Sequence, residues 1–130
     1  MLHPNQFKVN EAWILFRLNQ GPLRTDQDGD FNCVALMDAA SCFLLGVEMI
    51  PVSSREPKRA EFRRLLKNAE RHKEQLPQTL FIPLEDVADL ASREAAARKI
   101  DVVRVSEAEL LSFIAEARRG FAERFRGSPP

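Results

Sequence analysis

"FNCVALMDAASCFLLGVEMIPV", residues 31–52, decides the fold. Two strand-like apolar runs, "FNCVALMD" and "CFLLGVEMIPV", are joined through Asp38-Ala39-Ala40-Ser41, whose small and hydrogen-bonding side chains suit a chain reversal. Pairing Met37 with Cys42 across that turn puts Cys33, Ala35, Met37, Cys42, Leu44 and Gly46 on one face. Val34, Leu36, Phe43, Leu45 and Val47 then fall on the other. Both faces are apolar. A hairpin hydrophobic on both sides needs cover on both sides, which points to helices packed against a sheet.

Upstream, "AWILFRL", Ala12 to Leu18, is short, apolar and rich in aromatic and branched residues, and Gln20-Gly21-Pro22 follows as a turn signal. It reads as a strand, with a helix as its rival. The segment Asp26 to Asn32, "DQDGDFN", places alternating oxygen ligands around a glycine, as calcium loops do. An EF-hand loop needs its glycine sixth and a bidentate glutamate twelfth, whereas Gly29 is fourth here. A hairpin loop accounts for the same residues, because glycine takes positive φ freely and aspartate bonds its own backbone.

Downstream, the hydrophobic period changes. Pro57 suits a first helical turn, and Phe62, Leu65, Leu66 and Ala69 recur at helical spacing up to a stop near Leu76-Pro77. "TLFIP", Thr79 to Pro83, reads as a buried strand, and Val87, Leu90, Ala91 and Ala95 mark a second helix. "DVVRV", Asp101 to Val105, is a further strand. Ser106 and Glu109 have capping-box spacing ahead of a third helix whose buried stripe is Leu110, Phe113, Ile114, Ala117 and Phe121. The predicted fold class is α/β, in the order β-β-β-α-β-α-β-α, with helices on both faces of the sheet.

Length and composition set the remaining bounds. A chain of 130 residues with 45% hydrophobic and 29% charged content suits a single domain over 1–130, with an ordered core at about 7–125 and a flexible tail at 126–130. Nineteen basic residues balance nineteen acidic ones, so no overall field advertises nucleic acid or membrane. Residues 1–10 hold one lysine and no apolar run suited to a signal peptide, and the expected location is the cytoplasm. Cys33 and Cys42 are too few for a metal site and read as reduced core thiols. There is no glycine-rich phosphate loop and therefore no nucleotide-cofactor expectation.

The element order resembles that of the ribonuclease H-like superfamily, which includes retroviral integrase and transposase cores. "VALMDAASCFLLGVEMIP" looks like their second and third strands, with Asp38, Ser41 and Gly46 carrying the likeness. "LPQTLFIP" and "AARKIDVVRV" are similar to the segments around their fourth and fifth strands. The resemblance covers roughly residues 12 to 125 and implies a two-metal chemistry held by acids on the first and fourth strands and a late helix. The sequence departs from it. The run Trp13 to Leu18 holds no acid, and Phe16 stands near the expected aspartate. The fourth strand ends Phe81-Ile82-Pro83-Leu84 before Glu85 and Asp86, and Glu109 or Glu116 would have no partners with which to share a metal. No catalytic, cofactor-binding or metal residue is assigned on this basis. Were Ala12 to Leu18 helical, the likeness would move toward restriction-endonuclease-type cores, but Glu48 lacks the lysine those enzymes place two residues later.

Between Arg55 and Lys73, eight basic residues face three acidic ones, an excess of five. Arg59, Arg63, Lys67 and Arg71 are the candidate nucleic-acid contacts, against the simpler reading of a solvated helix face. No stacking aromatics are interleaved with them. His72 reads as a surface residue, and His3 lies in no nucleophile motif. Trp13 to Phe16 and the third strand are candidate exposed edges through which a homodimer could form. Three classes of function follow: a catalytically silent interaction or regulatory module, a nucleic-acid-binding relative of transposase cores, and an enzyme whose site the sequence hides.

Overall fold

The computed structural model describes residues 1–24 and 29–126, so the calcium-loop question at Asp26 and the tail beyond Arg126 lie outside the described residues. The strands are β1 (Ala12–Arg17), β2 (Phe31–Asp38), β3 (Leu44–Pro51), β4 (Thr79–Pro83) and β5 (Asp101–Val105). The helices are α1 (Arg59–Lys73), α2 (Asp89–Ala97) and α3 (Leu111–Arg126). The element order is the one expected, and Ala12 to Arg17 is a strand. One mixed sheet runs in the order β3-β2-β1-β4-β5. The pairs β1–β2 and β2–β3 are antiparallel, and β1–β4 and β4–β5 are parallel. This is a ribonuclease H-like arrangement.

Two apolar layers explain why both faces of the hairpin are hydrophobic. Trp13, Leu15, Leu36, Leu80 and Ile82 pack beneath Phe62, Leu65, Leu66 and Ala69 of α1 and Ala91 and Ala95 of α2. Ile14, Phe16, Ala35, Met37 and Phe81 pack on the opposite side beneath Leu110, Phe113 and Ile114. Strand β1 is buried on both faces because it is the middle strand, which corrects the expectation that Trp13 to Phe16 form an exposed edge. The open edges are β3 and β5.

The hairpin register also differs from the one expected. Cys42 takes a left-handed backbone, φ 58, and stays inside the turn, so Met37 pairs with Leu44 rather than Cys42. A bulge between Leu36 and Met37 then offsets β3 by one residue, and Leu36 faces Gly46. Gly46 therefore lies on the α1 side, where an added Cβ would meet Leu65 Cδ2 at 3.4 Å. Val47 and Met49 fall on the α3 side beyond the reach of that helix and are 49% and 48% exposed. Phe43, expected in the core, is 51% exposed and sets its ring edge-on to His72 at 5.8 Å.

Helix starts show two further departures. Pro57 precedes the N-cap Lys58, whose backbone N–H donates to Glu61 Oε1 at 2.8 Å. Ser106 makes no side-chain cap; a short 3-10 turn, Glu107–Leu110, leads into α3 instead. The Glu85 carboxylate takes the Glu107 N–H at 2.9 Å, and Glu109 N–H turns to the Ser106 carbonyl at 3.0 Å. Arg126, assigned above to the tail, is the last residue of α3. Among the described residues, no helix is long and apolar enough to cross a membrane.

Candidate functional site

Strands β1 and β4 run parallel and end together, and the chain leaves β1 toward β2 on one side but reaches β4 on the other. Where strand order reverses in this way, the loops at the carboxyl ends diverge and open a crevice. A cleft of about 290 Å³ lies there. Leu15, Val34, Ile50, Ile82, Val87 and Ala88 supply its apolar lining. Arg17, Asn32, Ser54, Arg55, Glu56, Glu85 and Asp86 supply its polar groups. The cleft occupies the positions to which the integrase resemblance assigned the first two acids. Alternation along β1 turns Leu15 and Arg17 toward it, while Phe16 is buried in the opposite layer.

The carboxylates beside the cleft have structural tasks. Glu56 Oε1 accepts the N–H of Leu90 at 2.6 Å and so caps the first turn of α2. Glu85 holds the Glu107 N–H. Asp86 is half-buried, and burial raises its carboxyl above the ordinary range, an effect that Arg17 opposes. Beneath the turn that carries Asp86, Arg104 Nη2 donates to the Pro83 carbonyl at 3.0 Å and to the Asp86 carbonyl. Arg104 Nε is buried with no hydrogen-bond partner. Arg118 of α3 donates to the Arg17 carbonyl at 3.0 and 2.9 Å and to Glu107 at 2.6 Å, and that bond holds the Glu107 carboxyl below its ordinary range. Among the described residues, no group of three or more His, Cys, Asp or Glu side chains could hold a metal ion. Glu109 lies 3.4 Å from the Met1 amino group, and Glu116 lines a different groove between α3 and the hairpin, with Cys42 and Phe121.

Asp38 is fully buried and holds the turn, as its place in the expected chain reversal suggested. Its Oδ2 accepts Ser41 N–H at 3.0 Å and Ser41 Oγ at 2.7 Å, and its Oδ1 accepts Asn10 N–H at 2.7 Å. Asn10, itself at φ 67, accepts the Trp13 indole N–H at 2.8 Å and donates to the Gln75 carbonyl at 3.2 Å. Cys33 is buried and Cys42 half-buried, both are free thiols, and burial raises both.

The four basic candidates separate into two pairs. Arg59 and Arg63 reach Glu94 of α2 at 3.6 and 2.8 Å, and Arg98 joins the same carboxylate. Hydrogen bonds from Arg63 and then Arg98 hold the Glu94 carboxyl down at about 2. Arg64 is tied to Glu48 at 2.5 Å. Lys67 and Arg71 lie exposed on α1 and make no ion pair among the described residues. Sequence reasoning missed Arg17, Arg104 and Arg118. The signal for the first two was an arginine in or ending a strand whose other members are apolar.

No protein-family model matches the chain, and no curated protein does. Among solved structures it is similar to a chain of "CryoEM structure of simian T-cell lymphotropic virus intasome in complex with PP2A regulatory subunit B56 gamma". That superposition covers 100% of this chain and 45% of the other, at 12% identity and a TM-score of 0.49. The chain thus spans under half the length of that one.

Proposed function

We propose that this chain is a non-catalytic ribonuclease H-like interaction or regulatory module of the cytoplasm. The observation behind this reading is the state of the cleft's acids. Two-metal phosphoryl chemistry needs several carboxylates free to converge on shared cations. Here Glu56 and Glu85 are engaged by backbone donors, and β1 offers Leu15 and Arg17 in place of an acid. Function belongs to the site rather than to the fold.

The test is incubation of the purified chain with labelled single- and double-stranded DNA and RNA in magnesium or manganese. The expected result is intact substrate. Cleavage that disappears in Asp86→Asn or Glu85→Gln would overturn the reading.

A nucleic-acid-binding role is the second reading, favoured by the basic excess on α1. With Arg59 and Arg63 paired to Glu94, Lys67 and Arg71 are left to meet phosphates, and binding should vanish by physiological salt. Homodimerisation belongs to the first reading, with β3 as the edge that a second copy would extend, and sedimentation velocity tests it.

A further inference from the structure

We propose that the cleft between the carboxyl ends of β1 and β4 is a binding site for a small organic anion, a carboxylate or phosphate monoester carried on an apolar body. The proposal rests on the non-catalytic reading of the same cleft. At about 290 Å³ it stands at the small end of ligand pockets, which fall at about 300–1,000 Å³. Its composition matches theirs: an apolar floor of Leu15, Val34, Ile50 and Ile82 and a few convergent polar groups. A sheet whose strand order reverses between β1 and β4 places a crevice at this point.

The polar groups select the sign of the ligand. Arg55 makes no ion pair among the described residues, and Arg17 makes one long hydrogen bond, 3.3 Å to the Gln20 carbonyl. Both side chains are exposed and line the cleft. A guanidinium fork suits the paired oxygens of a carboxylate or phosphate. Asn32 uses its oxygen to accept from Asn19 Nδ2 at 3.1 Å, so its amide donors remain, and the Ser54 hydroxyl adds another.

The three acids oppose an anion less than their number suggests. Glu56 and Glu85 each have one oxygen engaged by a backbone N–H at a helix or 3-10 start, where the local field is positive. Asp86 has Arg17, Arg104 and Arg118 close enough to act on its charge, with Glu107 opposing them.

The probe is 8-anilinonaphthalene-1-sulfonate, an aromatic anion whose fluorescence rises in apolar surroundings. Titration into the native chain should give a saturable rise with one site. Arg17→Glu and Arg55→Glu should each weaken it about tenfold, the equivalent of one charge-assisted contact. Val87→Trp, placed at a half-exposed position on the cleft wall, should abolish it, while Met49→Lys on the open β3 edge should leave it unchanged. Circular dichroism and the melting curve of each variant establish that it is folded. Benzoate and phenyl phosphate then compete with the dye: displacement by the first assigns carboxylate, and by the second phosphate. Displacement by neither, or dye binding lost in Met49→Lys and retained in both arginine variants, would overturn the site. Cleavage of nucleic acid would remove the non-catalytic reading without touching the dye result, so the two failures are distinguishable.

Discussion

Asp38 shows how much a single buried side chain can organise. Three donors from two segments converge on it, and with no exposure it has no water to replace them. Asp38→Asn puts an amide donor where donors already point, so one buried N–H loses its acceptor. The expected cost is about 1–3 kcal/mol. Leu36→Ala leaves a cavity under α1 and should cost about 2–5 kcal/mol. Phe43→Ala, by contrast, removes a ring already half in water and should cost about 1 kcal/mol or less. Urea titration of the three variants gives the ranking; a Phe43 variant weaker than Leu36→Ala would contradict the register. From sequence, Asp38 could be read as a turn-former because its partner Ser41 is local. Its bond to Asn10 spans 28 positions, which no local pattern encodes.

The elements themselves follow from hydrophobic period, and their order was legible from end to end. Phe62, Leu65, Leu66 and Ala69 are all buried at their helical spacing, and the doubly apolar "VALM" segment is sandwiched between two helical layers. The hairpin register was not legible. It depends on Cys42 adopting positive φ and on a bulge, each a local backbone choice that reversed the faces of Gly46 and Val47 relative to β2. The capping box at Ser106 failed because the Glu109 N–H it needed turns to the Ser106 carbonyl in a 3-10 turn, while Glu85, distant in sequence, holds the Glu107 N–H. Between α1 and α2, Glu94 has a pH signature. Its carboxyl is held at about 2, against an ordinary value of 4.5, so the folded state releases this proton more readily than the unfolded one. The contribution to stability is full above the ordinary value and is lost as pH falls from there toward the folded value. Glu94→Gln should therefore flatten the fall in melting temperature between roughly pH 5 and pH 2. A profile unchanged by the substitution would show that the three arginines do not act on that carboxylate.

At the scale of the whole molecule, the sheet puts its one reversal of strand order beside a cleft two of whose acids, Glu56 and Glu85, hold backbone N–H groups at the starts of α2 and of the 3-10 turn before α3. The position of that cleft was partly legible, because the ends of the first and fourth strands could be found by pattern. Its chemistry was not, since Arg17, the Arg55-Glu56 pair and Glu85 come from three separate segments and only the folded chain gathers them. The central claim is that this end of the sheet does not assemble a two-metal centre. Manganese titrated into isotopically labelled protein tests it most directly, because a bound paramagnetic ion broadens amide resonances near it at substoichiometric amounts. The account predicts weak, scattered broadening at exposed acids and none centred on Glu85 and Asp86. Saturable broadening centred on those two residues and on the end of β1, accompanied by cleavage of a nucleic-acid substrate, would contradict it.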